Sequence, residues 1–212
     1  MENKNYTFPF DTCEKPNKNG IAQPYSVFLN LLICTMIATF LQKAKSVQSK
    51  ILLITILIFE LFHAYSHYKH VSGSIQINIT HLLAYFMNFA FLFLFYKSTN
   101  HFPNDCFLLW LLFLVFLDLY LVYNYSFIYY LISMSLIYIS LLCYYYSYFS
   151  EEIKNKIYYI IFMIILIILL FINEKKNCKK NLEKYPDFPF HVVIEFNGLI
   201  LFYIICDTFY KL

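Results

Sequence analysis

Arginine is missing from this 212-residue sequence, glycine occurs three times, and charged residues of both signs make up only 14%. A soluble domain of this length needs far more charge to cover its surface, so the shortage excludes that class. With lysine as the only strong cation, the composition has the Ile, Asn, Tyr and Phe bias of an A/T-rich coding sequence, which speaks of origin and not of chemistry. A net charge of +3, and no lysine cluster interleaved with aromatic residues, excludes a nucleic-acid partner. The first 25 residues hold Glu2, Lys4, Asp11, Glu14, Lys15 and Lys18 and no apolar run. No secretory leader is expected there, and the polar tail 1–25 is expected to be part of the mature protein.

What is present is apolar: 60% hydrophobic residues, 22% aromatic, and a mean hydropathy of +0.58. Uninterrupted apolar runs at 26–41, 51–71, 77–96, 106–123, 126–149, 156–172 and 190–209 predict an all-α membrane protein, a seven-transmembrane-helix bundle over 26–212. The least marked boundary lies inside 106–149, where Asp118 and Asn124-Tyr125-Ser126 are the polar interruptions. One helix of that length, at ~1.5 Å per residue, would be about twice the hydrocarbon thickness, so the chain must turn there. Seven crossings put the tail and the loops 2–3, 4–5 and 6–7 on one face. The lysines divide almost evenly between the two faces and leave the orientation undecided.

Ionisable groups inside a membrane are costly, ~2.5 kcal/mol or more for a lipid-facing charge, and are expected to turn inward and meet one another. On the seven-helix frame, Ser66, His67, His70, His81, Asp118, His191 and Glu195 fall near one depth on the tail's face. His63, His67 and His70 follow i, i+4, i+7 on one stripe of helix 2, and His191 and Glu195 form an i, i+4 pair on helix 7. Two histidines and a carboxylate from separate helices suit Zn²⁺, which in catalytic sites takes three protein ligands and keeps one position for water, and the His191/Glu195 pair has His70 and His81 on the same face. His63 and His67 also read as neutral histidines bonded between helices. Glu60 reads either as a structural acid or as a partner of His63. Asp118 reads as a buried hydrogen-bonded acid or as a reserve carboxylate. The tyrosines of helices 4 and 5 read as interfacial and packing aromatics, and the lysine-rich loop 6–7 as a solvated segment that can touch anionic headgroups. Helix 7 has no interior lysine for a retinal Schiff base, Lys211 being at its end.

Three stretches resemble the alkaline ceramidases, seven-helix membrane hydrolases grouped with the adiponectin-type receptors. The tail "DTCEKPNKNGIAQPYSVFLNLL" is similar to the family's Asp-x-Cys-Glu opening with its Ala-Glu-Pro or Ala-Glu-Phe and Asn-bearing start of helix 1; Ser66 and His70 resemble its Ser-x-x-x-His; and "FPF" followed by His191 and Glu195 resembles its His-x-x-x-His. The resemblance covers both ends and the helix count, with little signature in the central helices. It implies a zinc held by His70, His191 and Glu195, Ser66 as an assisting or oxyanion-stabilising hydroxyl, and a calcium at Asp11, Thr12, Glu14 and Gln23. It also implies hydrolysis of a ceramide-like lipid to sphingoid base and fatty acid. Three positions depart from the family: His81 where it has a catalytic Asp, Glu195 where it has a second helix 7 His, and Gln23 in place of a calcium carboxylate. Two of the changes are reciprocal, so a His/carboxylate inventory is kept, with His81 a fourth ligand or the general base. Losing a carboxylate at Gln23 should weaken calcium. The rival reading is a non-catalytic lipid-binding or receptor-like protein with a structural metal.

Cys34, Cys106, Cys143 and Cys206 lie in or beside helices and read as small buried hydrophobes. Cys13 and Cys178 lie in polar segments on the tail's face, and a disulfide between them, as in the family, would pin the tail over helix 7. It would also place the amino terminus in an oxidising lumen, of endoplasmic reticulum or Golgi type.

Overall fold

The computed structural model describes residues 13–14, 19, 21–69, 73–124, 127–185 and 188–212. The chain is an all-α bundle of α1 (Pro24–Lys43), α2 (Val47–Tyr68), α3 (Gly73–Thr99), α4 (Asp105–Asn124), α5 (Phe127–Tyr145), α6 (Glu151–Lys184) and α7 (His191–Phe209). Among the described residues there is no strand. All seven helices are long and apolar enough to cross a membrane, and the chain is a multi-pass membrane protein. Large apolar side chains such as Phe28, Leu31, Phe89, Leu109, Phe116 and Phe162 stand exposed on the outside, where hydrocarbon replaces water.

Local signals set the helix ends. Pro24 opens α1 at a position where its missing N–H costs nothing. Ser46 caps α2 by accepting from the Ser49 N–H at 3.0 Å. Asn100 leaves α3 with φ 52, the left-handed conformation that Asn tolerates better than most residues. The long apolar stretch turns between α4 and α5, as its length required.

α1, α2, α3, α5, α6 and α7 pack in that order into a ring that closes where α7 meets α1, while α4 lies against α5 on the outside. One end of the ring is filled by a dense core around Phe91, Phe95, Tyr145, Phe149 and Phe209. The other end is not filled. A cavity of about 240 Å³ opens inside the ring, lined by residues of those six helices and by none from α4. Gly198 of α7 is on its wall, and a Cβ there would meet nothing within 4 Å. Gly198→Ala is therefore expected to stabilise the fold by up to about 1 kcal/mol, the helix-propensity difference. A thermal melt checks it: a lower melting temperature would show that the wall is already full.

The largest departure from the sequence reading is α6. The expected span ended at 172 and left a seventeen-residue polar loop, but the helix continues to Lys184, 34 residues in all. At ~1.5 Å per residue that is about 50 Å, well beyond the hydrocarbon, so its last turns stand clear of the membrane. Polar helix formers can continue a helix into water. Here the extension carries Glu174 and Cys178 on one face, four residues apart.

Candidate metal centre

The tail meets the bundle at the carboxyl end of α2. The Gln23 N–H donates to the His67 carbonyl at 3.0 Å and the Ala22 N–H to the Tyr68 carbonyl at 3.3 Å, satisfying carbonyls that the helix end leaves open. This pairing sets the Gln23 amide oxygen against His67 Nδ1. Glu14 closes the start of α1 instead of a capping side chain on Gln23. Its carboxylate accepts from the Tyr25 N–H at 2.6 Å and the Ser26 hydroxyl at 2.5 Å. Burial pushes the Glu14 carboxyl above its ordinary range, against the opposing pull of those hydrogen bonds from Ser26 and Tyr25.

Four side chains converge under this lid. Glu195 Oε1 lies 3.0 Å from His191 Nε2, 3.2 Å from His67 Nε2 and 3.8 Å from His63 Nε2, and the His63 and His67 Nε2 atoms are 2.9 Å apart. Glu195 Oε2 accepts from the Asn30 amide at 2.9 Å. His191 Nδ1 faces both oxygens of Glu174, at 2.9 and 3.1 Å, and Glu174 Oε1 also accepts from the Cys13 N–H at 2.7 Å. Cys13 and Cys178 are joined by a disulfide, which ties the tail to the α6 extension one helical turn from Glu174.

A donor count decides what this arrangement can do. Gln23 Oε1 and the Glu174 carboxylate are acceptors, so the Nδ1 atoms of His67 and His191 carry the hydrogens. In neutral rings the Nε2 atoms are then lone pairs, and both point at Glu195 Oε1, another lone pair. His191 Nε2 is buried without a hydrogen-bond partner. These contacts need a hydrogen or a cation between them: His63 Nε2, 2.9 Å from His67 Nε2, can donate to it, and a proton or a metal ion meets the His191–Glu195 contact. The donor atoms of His63, His67 and Glu195 lie 2.9, 3.2 and 3.8 Å apart, near the roughly 3.3 Å edge of a tetrahedron built with ~2.0–2.1 Å metal–nitrogen bonds, and His191 Nε2 reaches Glu195 Oε1 at 3.0 Å. His63, His67 and Glu195 also form a possible metal-ligating group among the described residues. The donor set thus fits a divalent metal of zinc type, and Glu174, Gln23 and Asn30 are the partners that fix its ligands' tautomers and orientations.

The residues singled out in the sequence fall into three groups. His191 and Glu195 are brought together at this centre. His70, Asp11 and Thr12 lie outside the described residues. α2 ends at Tyr68 with Lys69 as its cap, short of the expected 71. From the described part of α2 it is His67, in the last turn, that comes within 3.2 Å of Glu195, with His63 behind it at 3.8 Å. Ser66 is fully buried and lines the cavity, but its hydroxyl donates to the Phe62 carbonyl of its own helix at 2.9 Å. Gln23 spends its amide oxygen on His67, where a calcium ligand was expected.

His81 needs a correction. Expected as fourth ligand or general base, it instead lies 3.3 Å from Asp118 of α4, in a second buried cluster. The Tyr85 hydroxyl donates to Asp118 Oδ2 at 2.6 Å and the Ser133 hydroxyl to Oδ1, while Tyr85 and Tyr123 stack on the imidazole and Tyr130 meets its edge. The reason is local: a fully buried carboxylate on α4 must find donors, and α3 and α5 supply them. Asp118→Ala is expected to destabilise the protein by about 3 kcal/mol or more, as when one partner leaves a buried network, with metal content unchanged. Thermal melting and metal analysis check both halves, and a loss of metal would tie the two clusters together.

Glu174 was missed because "NEKKNCKKNLEK" reads as a solvated loop. The available signal was its helical spacing from Cys178. A cysteine tethered to the tail puts the residue four before it on the same side. Neither the known protein families, the curated proteins nor the solved structures contain a match to this chain.

Proposed function

We propose that the chain is a zinc-dependent intramembrane amide hydrolase acting on ceramide-type lipids, with His67, His191 and Glu195 holding the metal. The observation that carries this reading is the convergence of the His67, His191 and Glu195 donor atoms at one end of a largely apolar cavity. When bound, the metal polarises the amide carbonyl and lowers the pKa of its water. The apolar wall from α3, α5 and α7 accepts an acyl chain, and Glu195 sets the depth at which the amide stops. His63 lines the same cavity with Nδ1 3.7 Å from Glu60, and is the imidazole placed to take the proton as water adds to the carbonyl carbon. Returned to the nitrogen as the C–N bond breaks, that proton releases the amine. The Cys13–Cys178 disulfide supports a lumenal amino terminus in an endoplasmic reticulum or Golgi type membrane. Calcium at Glu14, with Asp11 and Thr12, belongs to the same proposal.

One observation favours the non-catalytic alternative. His63 Nε2 is 2.9 Å from His67 Nε2, so it can complete a set of four protein ligands, and a closed four-ligand site is structural. Its longer distance to Glu195, 3.8 Å, favours the open three-ligand site. Purified protein incubated with fluorescent ceramides across pH, with and without chelator, tests the two. Chelator-sensitive release of sphingoid base is expected. Stoichiometric zinc with no release under any condition would leave the structural metal standing and the hydrolase reading refuted.

A further inference from the structure

The cavity has a second polar station, deeper than the metal centre. Glu60 of α2, Asn88 of α3 and Tyr138 of α5 all line it, at 1%, 7% and 7% exposure. Both carboxyl oxygens of Glu60, Asn88 Oδ1 and the Tyr138 hydroxyl are buried without a hydrogen-bond partner. Asn88 has its other polar atom anchored, Nδ2 donating to the Ala84 carbonyl at 3.1 Å, so its oxygen is the end left for the cavity. Three helices thus each bring polar atoms with unmade hydrogen bonds to one apolar chamber, the nearest charged partner of Glu60 being His63 Nδ1 at 3.7 Å. Glu60 precedes His67 by seven residues on α2, about 10 Å along the helix axis.

The chemistry of the three groups specifies what satisfies them. Asn88 Oδ1 needs a donor, the Tyr138 O–H needs an acceptor, and Glu60 supplies a further acceptor in either protonation state. A hydroxyl meets the first two needs at once, donating to one and accepting from the other. A bare methylene chain meets none, and a carboxylate offers Asn88 and an ionised Glu60 only more lone pairs. We propose that Glu60, Asn88 and Tyr138 form a binding site for a hydroxyl group carried on the chain of the amphiphile, deeper in the cavity than the metal centre. This rests on the hydrolase reading only for placing the ligand's amide at the metal end.

Its test is read by binding alone, in chelator-treated protein, so that it stands or falls apart from turnover. Displacement of a fluorescent fatty amide is measured with stearamide and with a series of stearamides each bearing one hydroxyl at a successive chain position. A single best position is expected, binding about tenfold tighter than stearamide, the gain of one or two hydrogen bonds made in place of unmade ones. Tyr138→Phe and Asn88→Leu should each cut that preference to about threefold or less, and Glu60→Gln should shift it in the same direction, while His101→Ala leaves it unchanged. If unsubstituted stearamide binds as well as every hydroxylated form, water alone satisfies the three groups and the inference is overturned. A preference that survives both Tyr138→Phe and Asn88→Leu would overturn it equally. Ceramide release with a flat binding series would refute this site and leave the hydrolase reading intact; the graded series without release would do the reverse.

Discussion

Glu195→Ala is expected to yield a folded protein with almost no bound metal and no measurable amide hydrolysis. On the proposed assignment Glu195 would supply the one anionic ligand, and its Oε1 is the point on which His67, His191 and the more distant His63 converge. Structural zinc is worth ~10–16 kcal/mol, so one of three ligands accounts for a share that translates to on the order of a thousandfold or more in affinity. His67→Ala and His191→Ala should follow the same pattern. His101→Ala serves as control. Its Nε2 accepts from the Tyr148 hydroxyl at 3.0 Å and its ring stacks on Tyr148, a pairing outside the metal cluster. Metal analysis of the purified variants decides the matter. Full zinc in Glu195→Ala or His191→Ala, or zinc lost in His101→Ala, would refute the ligand assignment.

The second large effect is expected at Glu174, which is not itself one of the proposed ligands. It holds His191 Nδ1 with both carboxylate oxygens and is held in turn by the Cys13 N–H. Losing such a partner typically lowers metal affinity 10- to 100-fold, because the imidazole is no longer fixed in the tautomer that offers Nε2 to the metal. Glu174→Ala should show that loss in a zinc titration, and Glu174→Gln a smaller one, since an amide oxygen can still accept from Nδ1. The double variant Cys13→Ser with Cys178→Ser should move affinity in the same direction by freeing the tail that orients Glu174. A titration that matches the unmodified protein while the melting temperature falls would show that Glu174 supports the fold and not the centre.

The helix count was readable because a membrane segment announces itself by the absence of charge over about 20 residues, a property of composition that needs no partner. The inward meeting of His191 and Glu195 was readable for a related reason: i, i+4 spacing fixes one face of a helix, and intramembrane cost fixes the direction of that face. The choice among His63, His67 and His70 was not. All three share a stripe, and spacing alone does not say which of them meets a carboxylate from another helix; the structure brings His67, with His63 behind it, to Glu195. His81 illustrates the same limit. Its distance along the chain from His70 matched a family pattern, but whether it turned to the α7 centre or to Asp118 depended on which helix stood beside α3.

By itself, then, the sequence determined the solvent of each segment: seven stretches for lipid, a polar tail, and a set of ionisable groups forced inward because hydrocarbon excludes them. Tertiary structure decided the partners. Glu174 became a support for His191 because α6 runs past the membrane and the disulfide draws the tail across it, and Glu60, Asn88 and Tyr138 came to share a chamber because α2, α3 and α5 line the same ring. Partition between water and lipid is a sum over local residues. Convergence of donors and acceptors depends on the packing of helices distant in sequence, which no local pattern contains.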